Sequence, residues 1–172
     1  MTITFLGTGT SQGVPVIACE CRICTSTDNR DNRLRTSILV EDEHTAVVID
    51  SGPDFRYQML REKVKKLDAI LFTHEHKDHI AGLDDVRAFN FKQQLDMPVY
   101  AVPRVQEAIK REFAYIFSGV AYPGIPKVLL NTIDLSPFNI GTILFTPVEV
   151  MHHLLPVMGF RIKDFTYITD AK

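Results

Sequence analysis

Short apolar runs separated by polar and glycine-rich stretches set the pattern of this chain. Ile3 to Leu6 reads as a buried strand ended by Gly7-Thr8-Gly9-Thr10, where glycine lets the backbone pass close to a ligand or another strand. Thr36 to Val40 and Thr45 to Ile49 predict a hairpin joined through Glu41-Asp42-Glu43-His44, and its second strand ends in the turn cluster Asp50-Ser51-Gly52-Pro53. Asp54 to Lys66 carries a helical period, with Phe55, Met59 and Leu60 directed inward and Lys63, Lys65 and Lys66 suited to a helix C-terminus. Ala69 to Phe72 is a short buried strand running straight into Thr73-His74-Glu75-His76-Lys77-Asp78-His79. Leu83 to Leu95 predicts a helix, Val99 to Val102 a strand, and Pro103 to Phe113 a helix with proline in its first turn. Ser118 to Pro126 is irregular and reads as a surface lid or partner contact, while Thr142 to Thr146, Val157 to Ile162 and Phe165 to Ile168 read as strands. Strands with interspersed helices, several of them hairpin-linked, suit α/β sheets covered by helices better than a doubly wound parallel sheet.

Composition narrows this without changing it. A length of 172 residues fits one domain with a single core, and 45% hydrophobic and 23% charged residues are ordinary globular values. No apolar run approaches the roughly 18 residues needed to cross a bilayer. The start MTITFLGTGT lacks a basic segment followed by an apolar one, so no signal peptide is read and a cytoplasmic location is expected. A net charge of −2 argues against a protein that coats nucleic acid. It leaves room for a phosphate-bearing substrate, since bound cations can supply positive charge locally.

Chemistry concentrates at two places. Three imidazoles and one carboxylate, from His74, His76, Asp78 and His79, fall within six residues, and half of the six histidines in the chain are here. Residues two apart in an extended segment face one way, so His74 and His76 share a side, with Asp78 and His79 following as the chain leaves the strand. Imidazole nitrogen and carboxylate oxygen suit zinc, manganese or iron, and four such groups on two faces of a loop match two metals better than one. Earlier, residues 10–33 form a long polar loop bearing Cys19, Cys21 and Cys24. An odd number of cysteines this close makes a poor disulfide framework and points to a tetrahedral zinc with a fourth ligand from elsewhere.

Thr73-His74-Glu75-His76-Lys77-Asp78-His79 resembles the H-x-H-x-D-H motif of the metallo-β-lactamase superfamily, with Ile80-Ala81-Gly82-Leu83 following as in that family. The resemblance implies an αββα sandwich and extends to His152, after Thr146-Pro147-Val148-Glu149-Val150, to Asp170 in Tyr167-Ile168-Thr169-Asp170, and to Asp50. It implies that His74, His76 and His152 hold one divalent metal, that Asp78 and His79 hold the second with one more histidine, and that Asp170 bridges them. It further implies that a hydroxide between the metals attacks the substrate, with Asp50 orienting a ligand. Asp78 and Asp50 are thus the carboxylates expected to serve catalysis. His153, beside His152, is the alternative ligand at that position. The chain ends at Lys172 with no histidine after Asp170, so the single domain 1–172 is expected to be short of the family's closing elements, and its last strand to present an edge that favours dimerisation.

Phe5-Leu6-Gly7-Thr8-Gly9-Thr10-Ser11-Gln12-Gly13-Val14-Pro15, followed by the cysteines, is similar to the PhnP-like branch of that family. That branch implies a phosphodiesterase on a small, in some members cyclic, phosphodiester. It also implies manganese or zinc at the active site and a structural zinc on Cys19, Cys21 and Cys24. Two rivals compete with it. One is the tRNA 3′-processing endonuclease branch, for which Arg61 to Lys66 is the only basic stretch on offer. The other is a metal-binding module without catalysis. The expected partner is a small phosphodiester, with neither nucleic acid nor a membrane expected.

Overall fold

The computed structural model describes residues 1–120 and 122–171, so Ala121, within the irregular stretch, and Lys172 lie outside the described residues. Six strands form the first sheet, in the order β1 (Thr2–Gly7), β2 (Ser37–Glu41), β3 (Ala46–Ile49), β4 (Ala69–Leu71), β5 (Met97–Ala101) and β6 (Val128–Thr132). The first three are antiparallel and the rest join in parallel. A second sheet runs in the order β10 (Phe165–Tyr167), β9 (Leu155–Ile162), β8 (Ile143–His152) and β7 (Phe138–Ile140), antiparallel throughout.

The central strands of the first sheet, β2 to β4, are apolar on both faces because both are covered, as a buried sheet requires. On β3, Val47 and Ile49 enter the core between the two sheets while Ala46 and Val48 enter the core beneath the helices. Leu71 and Ile70 divide in the same way on β4. The helical layer consists of α1 (Phe55–Arg61), α3 (Arg87–Gln93) and α4 (Pro103–Glu112), whose Phe55, Phe89, Val105 and Ile109 all join the second of these cores. A single helical turn, α2 (Lys77–Ile80), follows the histidine motif. Helix, sheet and sheet thus give the mixed α/β sandwich expected.

Several elements differ from expectation. The helix read over 54–66 stops at Arg61, because Lys63 takes a left-handed conformation (φ 55°) that turns the chain toward β4. Leu60 is 59% exposed. At about 100° per residue it stands well away from the face shared by Phe55 and Met59, and Gln58 is buried instead, donating to the Arg35 carbonyl at 3.0 Å. The helix read over 83–95 begins as a 3-10 turn over Leu83–Val86 and ends at Gln94, again left-handed. Strands β6 and β7 were not expected. Strands β8 and β9 are longer than expected and make one extended hairpin with His152 opposite Leu155.

Candidate metal centre

Parallel pairing of Ile49 with Leu71 puts the C-terminal ends of β3 and β4 side by side, and the site begins there. Asp50 leaves β3 with a φ of 65° and is fully buried. Its carboxylate accepts from the Thr73 amide at 2.9 Å and from the Thr73 hydroxyl at 2.9 and 3.1 Å. It also accepts from His79 Nδ1 at 2.8 Å. The Thr73 hydroxyl lies 3.0 Å from His74 Nδ1. With that hydroxyl giving its proton to Asp50, it takes one from His74. One buried carboxylate therefore fixes the tautomers of two imidazoles and leaves Nε2 of each as a lone-pair donor.

The Nε2 side is where the ligand atoms gather. His74, His76 and Asp170 form one group, and Asp78, His79 and Asp170 a second, each with its ligand atoms within 4.8 Å of one another. Asp170 belongs to both. His74 Nε2 lies 3.1 Å from His76 Nδ1 and 3.4 Å from an Asp170 oxygen. His79 Nε2 lies 3.3 Å from Asp78 and 3.4 Å from Asp170, yet it is buried without a hydrogen bond among the described residues. A buried nitrogen that approaches two carboxylates without bonding to either is arranged as ligands of a common cation are, and these residues fit such a cation.

Electrostatics show the same negative surroundings, which would hold a proton on His79 Nε2 until a cation displaced it. Burial opposes a charge on His79, but the Asp50 charge and contacts with Asp170 and Asp78 outweigh it and push its pKa up to about 12. Burial and the neighbouring His79 charge instead lower His74 to about 4. The contact with His79 is the main cause holding the Asp170 carboxyl well below the usual carboxylate range. The pocket thus stabilises positive charge against its carboxylates, the field a divalent cation would meet.

His152 closes the site from the second sheet. Its ring lies 5.5 Å from that of His76 and 6.2 Å from that of His74, and its Nδ1 is buried with no hydrogen-bond partner among the described residues. It approaches the first group without joining it. His153 is exposed, with a φ of 55°, and joins neither group. Two glycines permit the close packing around Asp78: a Cβ on Gly52 would sit 2.0 Å from the Asp78 carbonyl oxygen, and one on Gly82 2.1 Å from that of Gly52.

Sequence reasoning gave Thr73 no role, although its place before His74 was a signal. Thr169, whose hydroxyl donates to Asp170 at 3.1 Å, and Tyr167, bonded through its hydroxyl to Thr36 at 2.9 Å, were also missed. Hydroxyls carry no motif of their own.

The sulfur atoms of Cys19, Cys21 and Cys24 form a third group within the same 4.8 Å limit. The Val16 amide donates to Cys24 Sγ at 3.3 Å and the Cys24 amide to Cys21 Sγ at 3.5 Å. The Cys24 amide, aided by the neighbouring thiols, lowers the Cys21 pKa to about 7. The amide donor thus favours thiolate at Cys21, the form that binds metal, whereas at Cys24 the Val16 amide is outweighed by the neighbouring thiols and burial, which raise the pKa.

Residues 45–172 match the family described as Beta-lactamase superfamily domain. The chain belongs to this superfamily. It is 40% identical over 174 residues to the octanoyltransferase of Porphyromonas gingivalis, covering all of this chain and 35% of that protein. It is 27% identical over 168 residues to the ribonuclease Z of Staphylococcus epidermidis, covering 95% of this chain and 49% of that one. Among solved structures, a diphosphatase from the PhnP family superposes with a TM-score of 0.87 at 38% identity, over 96% of this chain and 64% of the other. Zinc-bound PqqB from Methylobacterium extorquens superposes at 0.75 with 21% identity, covering 95% and 62%, a likeness of fold. The chain therefore spans between about a third and two thirds of these relatives.

Proposed function

We propose that the protein is a metal-dependent hydrolase of small phosphodiesters. The observation that carries this is the sharing of Asp170 between two three-residue ligand groups, a layout for two cations a short distance apart. His74 and His76, with His152 brought up from the hairpin, would hold one, and Asp78 and His79 the other. Two divalent cations, manganese or zinc, would polarise a phosphoryl oxygen and supply an activated water at neutral pH. Asp50 keeps His79 and, through Thr73, His74 in the tautomer that ligation needs. The choice of a phosphoester over a lactam or thioester rests on the likeness to the PhnP-family diphosphatase. Cys19, Cys21 and Cys24 would hold a separate structural zinc.

An aryl phosphodiester with added manganese should be hydrolysed by the protein and a cephalosporin should not, with Asp78→Ala abolishing turnover. Cephalosporin hydrolysis in preference to the diester would overturn the assignment. Ribonuclease Z relatives at 27% identity over 95% of the chain favour a second reading, a tRNA 3′-processing nuclease. Tight binding of precursor tRNA at moderate salt would select it, since such binding depends on phosphate contacts.

A further inference from the structure

The positions of H-x-H-x-D-H that bind no metal, Glu75 and Lys77, each make an ion pair with α4. Glu75 pairs with Arg104 at 3.3 Å, near the start of the helix, and Lys77 with Glu112 at its end. The Arg104 contact reaches further. Its guanidinium Nη2 also donates to the Pro156 carbonyl on β9 at 2.5 Å. Pro156 lies next to Leu155, the residue paired with His152. Glu75 lies between His74 and His76. Its Oε2 is buried without a hydrogen bond, so Arg104 is its charge partner among the described residues. One guanidinium thus touches both sides of the gap across which His152 faces His74 and His76. Among the described residues these segments are also tied by the Met158 amide bonding to the Thr73 carbonyl at 3.0 Å, farther from the hairpin tip. The tip itself, His153-Leu154, is exposed.

We propose that Arg104 is a positioning residue for the metal centre, holding the His152 hairpin against the histidine loop through Glu75 and the Pro156 carbonyl. This rests on the reading of the histidines as ligands. Arginine suits the task because Nη2, which makes both contacts, carries two N–H groups held in a fixed plane, one for the carboxylate and one for the carbonyl, whereas a lysine ammonium is a point charge on a flexible stem.

The test is titration of the full chain with cobalt(II), following the visible ligand-field bands of nitrogen and oxygen ligation. Cobalt at the cysteine group is distinguished by its sulfur charge-transfer absorption. Wild type should show both. Arg104→Ala should weaken cobalt binding at the histidine site by about 10- to 100-fold, the usual cost of losing a group that orients ligands, and change its band shape. The cysteine signal should be untouched, and Arg104→Lys should recover part of the loss. Glu75→Gln, which keeps the shape of the side chain, provides the second variant should Arg104→Ala fold poorly, and it should weaken binding in the same direction. Unchanged affinity and bands in a folded Arg104→Ala or Glu75→Gln protein would overturn the positioning role while leaving the metal site standing. Absence of histidine-type bands from wild type would overturn both.

Discussion

At the residue scale the centre turns on Asp50, which contacts no exposed surface and bonds to Thr73 and His79. Replacement by asparagine keeps the size but removes the charge and puts an amide donor toward one of its partners. His79 Nδ1 or the Thr73 hydroxyl then loses its acceptor, and two imidazoles lose their set tautomer. Asp50→Asn should weaken divalent-metal affinity about 10- to 100-fold, measured by competition with a chromogenic chelator, with the fold intact by circular dichroism. Affinity equal to wild type would mean that His74 and His79 are held by packing alone. The motif residues could be read from sequence because imidazole and carboxylate spacing is itself chemical information. The relay through Thr73 could not. It exists because parallel pairing of β3 and β4 brings the strand ends together, so that Asp50 bonds to Thr73, 23 residues on, and a hydroxyl has no distinctive spacing to reveal it.

At the element scale, β2, β3 and β4 at the centre of the first sheet were legible because each is a nearly continuous buried apolar run, as coverage on both faces demands. Strands β6 and β7 mix exposed and half-buried positions and give no such signal. The hairpin that carries His152 was only half visible, since its outer part alternates polar and apolar residues beyond the core. Turns tie these elements together at the end of the molecule opposite the metal centre. Asp42, in the β2–β3 turn, accepts from the His44 and Thr45 amides, both at 2.9 Å, and from the Thr142 hydroxyl at 2.6 Å, in the turn between β7 and β8. The Thr142 contact, followed by the His44 amide, lowers its pKa from 3.8 to about 2. A carboxyl depressed in the folded state stabilises above its unfolded pKa and loses that contribution as pH falls through the folded value. Asp42→Asn should therefore be less stable than wild type at neutral pH, and the gap should close between about pH 4 and pH 2. Urea unfolding at stepped pH measures it, and a gap constant over that range would mean the turn is held by shape rather than charge.

At the scale of the whole molecule, the candidate ligands divide between the two sheets. His74, His76, Asp78 and His79 follow β4 of the first sheet, whereas His152 ends β8 and Asp170 follows β10 of the second. Residues almost a hundred positions apart were legible as one site only through resemblance to a family, because nothing in local periodicity says which strand ends will meet. A cation on this set joins the sheets in the folded state and finds no preformed site in the unfolded one, so it should stabilise by mass action. At a free concentration 100 times the dissociation constant that amounts to about 2.7 kcal/mol, or roughly 5–11 °C in Tm for a chain of this size. Removing metal with a chelator should lower Tm by that order, and readdition should restore it. Asp170→Asn separates this effect from the cysteine group, since Asp170 is shared by both histidine-bearing groups and is absent from the third. In that variant the chelator should retain only the smaller shift due to metal on Cys19, Cys21 and Cys24. If it instead lowers Tm as far as in wild type, the stabilising metal is on the cysteines and the histidine centre does not hold the two sheets together.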